Sequence, residues 1–144
     1  MRPATAADYD FTHRVHHSGM RWIAERLFGP WDDAAQDEKF KRQFVLAEVR
    51  IIAVGSTDVG YLQLGIGDEE LFLRELHIDA PFQNRGIGTE VLRLVLAETK
   101  TAGKPLIVAV VKINPARGLY ERCGFRTFRE DDYKFYMRND GGAG

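Results

Sequence analysis

Cysteine is nearly missing from this chain. Cys123 is the single one among 144 residues, so no internal disulfide can form and nothing points to an oxidising compartment. Charge of one sign is also lacking. Twenty Lys and Arg against 21 Asp and Glu leave a formal net charge of −1, which argues against a nucleic-acid or membrane partner held by bulk electrostatics. No apolar run approaches a membrane span, and the opening MRPATAADYDF has no signal-peptide core. A cytoplasmic protein is therefore expected. There is no internal repeat, and low complexity is confined to residues 139–144, NDGGAG, which are expected to be disordered. What is present is ordinary for a globular protein, with 44% hydrophobic and 28% charged residues. Such a length fits one domain over residues 1–138, able to bury about two-thirds of its unfolded surface.

Local signals then divide the chain. Thr5 to Asp8 has capping-box spacing, and the apolar positions Phe11, Val15, Met20, Ile23, Leu27 and Phe28 predict a helix over 6–28 with a break at Ser18-Gly19. Gly29-Pro30 ends it, and a second helix is expected over 34–44, capped by Asp32 or Asp33. Three strands are predicted next, at 49–54, 59–64 and 71–79, separated by glycine turns. A long helix over 86–102 carries Ile87, Val91, Leu92, Leu94, Val95 and Leu96, and Gly103 with Pro105 stops it. The apolar run 106–111 reads as a strand buried on both faces. Asn114-Pro115 opens a short helix that ends at Gly124, and strands at 125–129 and 133–138 close the chain as a hairpin. The order ααβββαβαββ implies an α+β fold, a mixed sheet with one β-α-β crossover and helices beside it.

One stretch carries chemistry on its face. Residues 71–79 run as a strand into Gln83-Asn84-Arg85-Gly86-Ile87-Gly88, and a helix starts there. Backbone N–H groups at a helix start lack intrahelical partners, and the helix dipole adds partial positive charge. Glycine at 86 and 88 lets a ligand approach bare backbone, and Arg85 adds a cation. This is a seat for a phosphorylated cofactor. A dinucleotide-binding fingerprint needs a third glycine where Val91 stands and an acidic residue after the next strand, where Lys112 stands.

A second motif, Asn114-Pro115-Ala116-Arg117-Gly118-Leu119-Tyr120-Glu121-Arg122-Cys123-Gly124-Phe125, lies one helix and one strand beyond the first. Together the two resemble the Q/R-x-x-G-x-G/A and N-P-A-x-x-L-Y-E-x-x-G-F motifs of the GNAT superfamily of acetyl-CoA-dependent N-acetyltransferases. Leu76-His77-Ile78 resembles that family's L-x-V, and the likeness spans about residues 49–137. It implies a GNAT-like fold whose mostly antiparallel central sheet is splayed at its middle strands. It implies acetyl-CoA as the cofactor, with Gln83, Asn84, Arg85, Gly86, Ile87, Gly88 and Thr89 on the pyrophosphate and Ile78 on the pantetheine arm. An amide near Leu76 or His77 would polarise the thioester carbonyl. Tyr120 would protonate the departing thiolate, a phenol of ordinary pKa about 10 being close enough to a thiol of about 8.5. Asn114 would serve as helix cap and cofactor contact. Dimers are common in the family, so a homodimer is a possibility.

The remaining roles are argued from position. Alternation puts Glu75, His77 and Asp79 on one strand face, opposite Arg74, Leu76 and Ile78. Glu75 leads as general base, with a pKa raised in a partly closed cleft. Two other readings stay open: His77 or water as the base, and Glu75 merely paired with Arg74 or Arg93. Trp22, Phe28, Trp31 and Asp32 are candidates for the acceptor pocket, and core packing competes for Trp22 and Phe28. His13 and His17 have i, i+4 spacing, but no third ligand is in view, so no metal site is expected. Cys123 reads as a small packing residue, since direct transfer needs no thiol nucleophile. Two functions follow. One is direct transfer of acetyl from acetyl-CoA to a primary amine, with the charge balance favouring a small molecule. The other is a non-catalytic module that binds coenzyme A or an acyl-CoA and regulates a partner. Polyamines, amino acids, antibiotics, protein N-termini and lysine side chains all remain open as acceptors.

Overall fold

The sheet is built around strands that find different partners along their lengths. In the computed structural model, which describes residues 1–141, seven strands lie in the order β1-β2-β3-β4-β5-β7-β6. They are β1 (Arg2–Pro3), β2 (Val49–Val54), β3 (Thr57–Ile66), β4 (Leu71–Ile78), β5 (Leu106–Val111), β6 (Arg126–Glu130) and β7 (Lys134–Asn139). Every neighbouring pair is antiparallel except β4 with β5. The helices are α1 (Tyr9–Phe28), α2 (Asp33–Gln43), α3 (Ile87–Ala102) and α4 (Ala116–Arg122). No helix among the described residues is long and apolar enough to cross a membrane.

Two cores sandwich the sheet. On one face Val91, Leu92 and Val95 of α3 and Tyr120 of α4 pack on Leu62, Leu64, Leu71, Leu73, Leu106 and Val108. On the other Val15 of α1 meets Val49, Ile51 and Tyr61. α3 follows its periodicity with one exception, since Leu94 stays 55% exposed. Thr99 takes the buried place on that stripe instead, satisfying its hydroxyl on the Leu96 carbonyl. In α1 only Thr12, Val15 and Ile23 are buried. The expected break at Ser18-Gly19 does not occur, and the helix runs unbroken to Phe28. Gly19 is instead where His77 approaches, its Nδ1 lying 3.4 Å from the place a Cβ would take.

β4 is where the strand arithmetic changes. Gln63 pairs with Glu75 but Leu64 pairs with Leu73, which leaves Arg74 as an extra residue. A bulge of this kind shifts the side-chain alternation by one and adds twist. Leu71 and Leu73 before it, and Leu76 and Ile78 after it, therefore share the α3 face. The expected grouping of Arg74 with Leu76 and Ile78 is thereby overturned. Arg74 reaches Glu48 at 3.2 Å, and Gln63 ties that same carboxylate to the end of α2.

The tail expected to be disordered begins with a residue of the sheet. Asn139 ends β7 and donates its side-chain N–H to the Cys123 carbonyl at 3.0 Å, while residues 142–144 lie outside the described residues. Gly60 allows β3 to close on β4, since a Cβ there would sit 2.2 Å from the His77 carbonyl oxygen. Gly60→Ala should lower stability by about 1–3 kcal/mol, the usual cost of overpacking, read as a lower urea midpoint at unchanged slope.

Candidate active site

β4 and β5 pair over only three positions, Leu71 with Leu106, Phe72 with Ile107 and Leu73 with Val108. Beyond the bulge β4 stays on β3, while β5 stays on β7 along its whole length. The middle of the sheet opens, and the edge of β4 from Arg74 onward has no strand on its β5 side.

At the far end of this gap lies the glycine turn. Asp79 caps a short 3-10 turn by accepting from Ala80 N–H at 3.1 Å, and Arg14 of α1 holds it at 3.1 Å. Gln83 donates its side-chain N–H to the Ile78 carbonyl at 2.9 Å. Asn84 and Gly86 then take left-handed φ of 63° and 81°. Gly86 forms the N-cap of α3 without a side-chain cap, and the Glu90 N–H is the one that returns to its carbonyl. The amides of Ile87, Gly88 and Thr89 are thus left without intrahelical partners. A Cβ at Gly86 would meet nothing within 4 Å. Uncapped amides, open space and the Arg85 guanidinium, poised 5.8 Å over Phe82, fit a pyrophosphate.

Tyr120 stands in the wall of the gap. Asn114 starts its helix by accepting from the Ala116 N–H at 2.9 Å, and the Tyr120 ring meets Phe125 edge-on at 5.5 Å. Burial, then the charge of Glu75, pushes the phenol well above its usual range. It remains an O–H donor throughout the ordinary pH range, and a weaker acid than an exposed tyrosine.

On the side of α1 and α2 the gap widens into a cleft of about 420 Å³, walled by Phe28, Trp31, Lys39, Tyr133 and Tyr136. Glu75 faces it. His77 donates to Glu75 Oε2 from Nε2 at 2.5 Å, and His16 of α1 brings its Nε2 within 3.8 Å of Oε1. Burial presses this carboxyl up, but the His77 hydrogen bond, the charges of His77 and His16, and then Lys39 outweigh it, and the pKa falls below the ordinary value. The expected rise toward neutrality is therefore reversed, because imidazoles surround the group. Its partners are His77 and His16, and neither Arg74 nor Arg93 pairs with it. Arg93 pairs with Glu90 instead.

Glu75, Leu76, His77, Asn114, Tyr120 and Trp31 meet along one cleft. Ile78 and residues 83–89 sit past its end, at the glycine turn. Trp22 and Asp32, also expected in the acceptor pocket, are not among the lining residues. Trp22 is 46% exposed on the outer side of α1, and the Asp32 carboxylate is consumed as the cap of α2, accepting from Ala35 N–H at 3.1 Å. Sequence reasoning missed His16, Lys39, Asp131, Tyr133 and Tyr136. The histidine-rich run at residues 13–17 is the one signal the sequence carries for any of them. The third partner for His13 and His17 is Asp37 of α2. These three, and likewise His16, Glu75 and His77, bring their donor atoms within 4.8 Å of one another.

The family model described as the acetyltransferase (GNAT) family matches residues 17–125. No curated protein matches the chain. Among solved structures, PaiA N-acetyltransferase from Thermoplasma acidophilum in complex with coenzyme A is similar with a TM-score of 0.80 at 17% identity, over 96% of each chain. An acetyltransferase from Thermus thermophilus is similar with a TM-score of 0.67 at 25% identity, over 96% of this chain and 94% of that one. The ribosomal-protein-S18-alanine N-acetyltransferase from Escherichia coli gives 0.68 at 15% identity, over 99% and 94%. At 17% and 15% identity the first and third establish the fold alone.

Burial, ahead of neighbouring charges, lowers the His16 pKa from 6.5 to about 4. Between those values the unfolded chain binds the extra proton, so this contribution to stability is complete above about pH 6.5 and is lost as pH falls toward 4. The loss should be on the order of 2 kcal/mol, and His16→Gln should flatten it. Urea midpoints of the two proteins at pH 7 and pH 4.5 measure this, and equal falls in both would refute it.

Proposed function

The chain belongs to the GNAT family of acetyltransferases, and we propose that its domain, residues 1–138, moves acetyl from acetyl-CoA directly onto a primary amine of a small molecule, both bound at once. Acetyl-CoA is the cofactor of this family, and it supplies an activated thioester whose sulfur leaves as a thiolate. The observation that carries the reading is the opening of β4 from β5 after Leu73, with an uncapped helix start at one end and a phenol and an ionised carboxylate along the cleft.

Each residue then has a task that its surroundings suit. The amides of Ile87, Gly88 and Thr89, with Arg85, bind the pyrophosphate. The free edge of β4 at Leu76 to Ile78 offers backbone hydrogen bonds as a sheet edge does to an added strand, and an N–H there faces the developing oxyanion. Tyr120 holds its phenolic proton ready for the leaving sulfur. Glu75 stays ionised and draws a cationic amine into the cleft, while Phe28, Trp31, Tyr133 and Tyr136 exclude water around the carbon skeleton.

The test is thiol release from acetyl-CoA against a panel of primary amines. Tyr120→Phe should lower kcat about 100-fold, the usual contribution of a positioned acid, with the KM for acetyl-CoA little changed. Gly86→Glu should abolish the thermal shift given by acetyl-CoA, since a carboxylate at that position opposes the anion seat. Undiminished turnover in Tyr120→Phe would remove the phenol from the mechanism. Tight acetyl-CoA binding with no amine acetylated would favour the binding-module reading.

A further inference from the structure

Behind Glu75, three imidazoles of α1 and one carboxylate of α2 form an unbroken polar line. His16 Nε2 faces Glu75 Oε1 at 3.8 Å. On its other side His16 Nδ1 lies 3.0 Å from His17 Nδ1. His17 Nε2 lies 3.0 Å from Asp37 Oδ1, and His13 Nε2 meets the same oxygen at 2.7 Å. The line starts at a carboxylate whose side chain is 25% exposed and ends at one that is 52% exposed.

Charge decides where the protons sit. The His13 hydrogen bond, then that of His17, holds the Asp37 carboxyl below its usual range against the opposing effect of burial, so it is ionised and can only accept. Nε2 of His13 and Nε2 of His17 must therefore each carry a hydrogen. A neutral His17 is then bare at Nδ1, and His16 has to donate to it from its own Nδ1. A neutral His16 is left bare at Nε2, the atom turned toward Glu75. Two lone-pair atoms thus face each other across 3.8 Å with no hydrogen between them, at a point where both residues line the cleft. An amine N–H entering the cleft meets an acceptor at either atom.

We infer that His16 is the proton acceptor of the acyl transfer, and that His17 and Asp37 are positioning residues that fix its tautomer and draw its charge outward. The inference rests on the acetyl-transfer reading above. The ammonium drawn in by Glu75 first gives one proton to water in the open cleft. As the C–N bond then forms and the C–S bond breaks, an N–H proton of the free amine goes to His16 Nε2. The Nδ1 proton of His16 moves to His17 Nδ1, and the positive charge settles beside Asp37 instead of in the buried wall. When product leaves, the ring protons step back and His16 gives one proton to water in the open cleft. The sulfur takes the Tyr120 proton, and Tyr120 regains one from water, so the count closes. The titratable groups that act on His16 are Glu75 and His77 from β4 and His13 and His17 from its own helix, while Lys39 of α2 lines the same cleft.

Two measurements test this. Nitrogen-15 spectra of the imidazoles at pH 7 should show His16 protonated at Nδ1 and bare at Nε2, and His17 the reverse. Asp37→Asn should release that preference in His17. In the amine assay His16→Gln should lower kcat about 100-fold and Asp37→Asn about tenfold, with the acetyl-CoA KM unchanged, as expected for lost proton transfer. Asp37→Glu should restore part of the loss, which a packing defect would not explain. Opposite tautomers, or parent kcat in His16→Gln, would overturn the inference while leaving acetyl transfer standing. A protein that binds acetyl-CoA but acetylates no amine would overturn the transfer reading and, with it, the role of His16 as acceptor; the tautomers would then decide only whether the hydrogen-bonded line exists.

Discussion

The structure depends on a competition among strands that β4 and β5 lose to their outer neighbours. β4 stays paired with β3 to its end and β5 with β7 to its end, so the parallel contact between them lasts three residue pairs. The Arg74 bulge turns β4 where the contact ends. An open seam through the middle of a sheet would ordinarily leave buried backbone groups without partners, which is costly. Here the seam meets a cleft, so a ligand or water can reach those groups. The same divergence supplies the site with its free strand edge.

The bulge also sorts the chemistry. By shifting the alternation once, it keeps Leu76 and Ile78 on the α3 core and turns Glu75 and His77 toward α1. A carboxylate placed there would be expected to rise in pKa through desolvation. It falls because two imidazoles and Lys39 face it. α1 matters here less as a packing helix than as a carrier of polar groups. Its Met20, Leu27 and Phe28 line the cleft, and its histidines run from Glu75 to Asp37.

Much of this is legible in the sequence alone. The strand bounds at 49–54 and 106–111, the helix over α3, the uncapped glycine start and the Asn114 cap all rest on contacts within a few residues, which a sequence carries locally. Asp32 shows the limit. Its likeness to an acidic pocket residue and its likeness to a helix cap are the same short side chain after Trp31, and the cap won because Ala35 N–H is three residues away. Gly19 shows another, since a glycine in a helical pattern suggests a break until an approaching His77 explains it.

By itself the sequence determined the order of elements from α1 onward and the uncapped glycine start of α3, because each depends on spacing along the chain, whereas the edge strand β1 at Arg2–Pro3 carried no such signal. Only the tertiary structure decided which face Glu75 and Arg74 occupy, since a bulge has no mark in composition. It also decided the neighbours of that carboxylate. His16, His17 and Asp37 all stand far from Glu75 in the chain, and they reach one another because α1 and α2 pack over the same side of the open sheet.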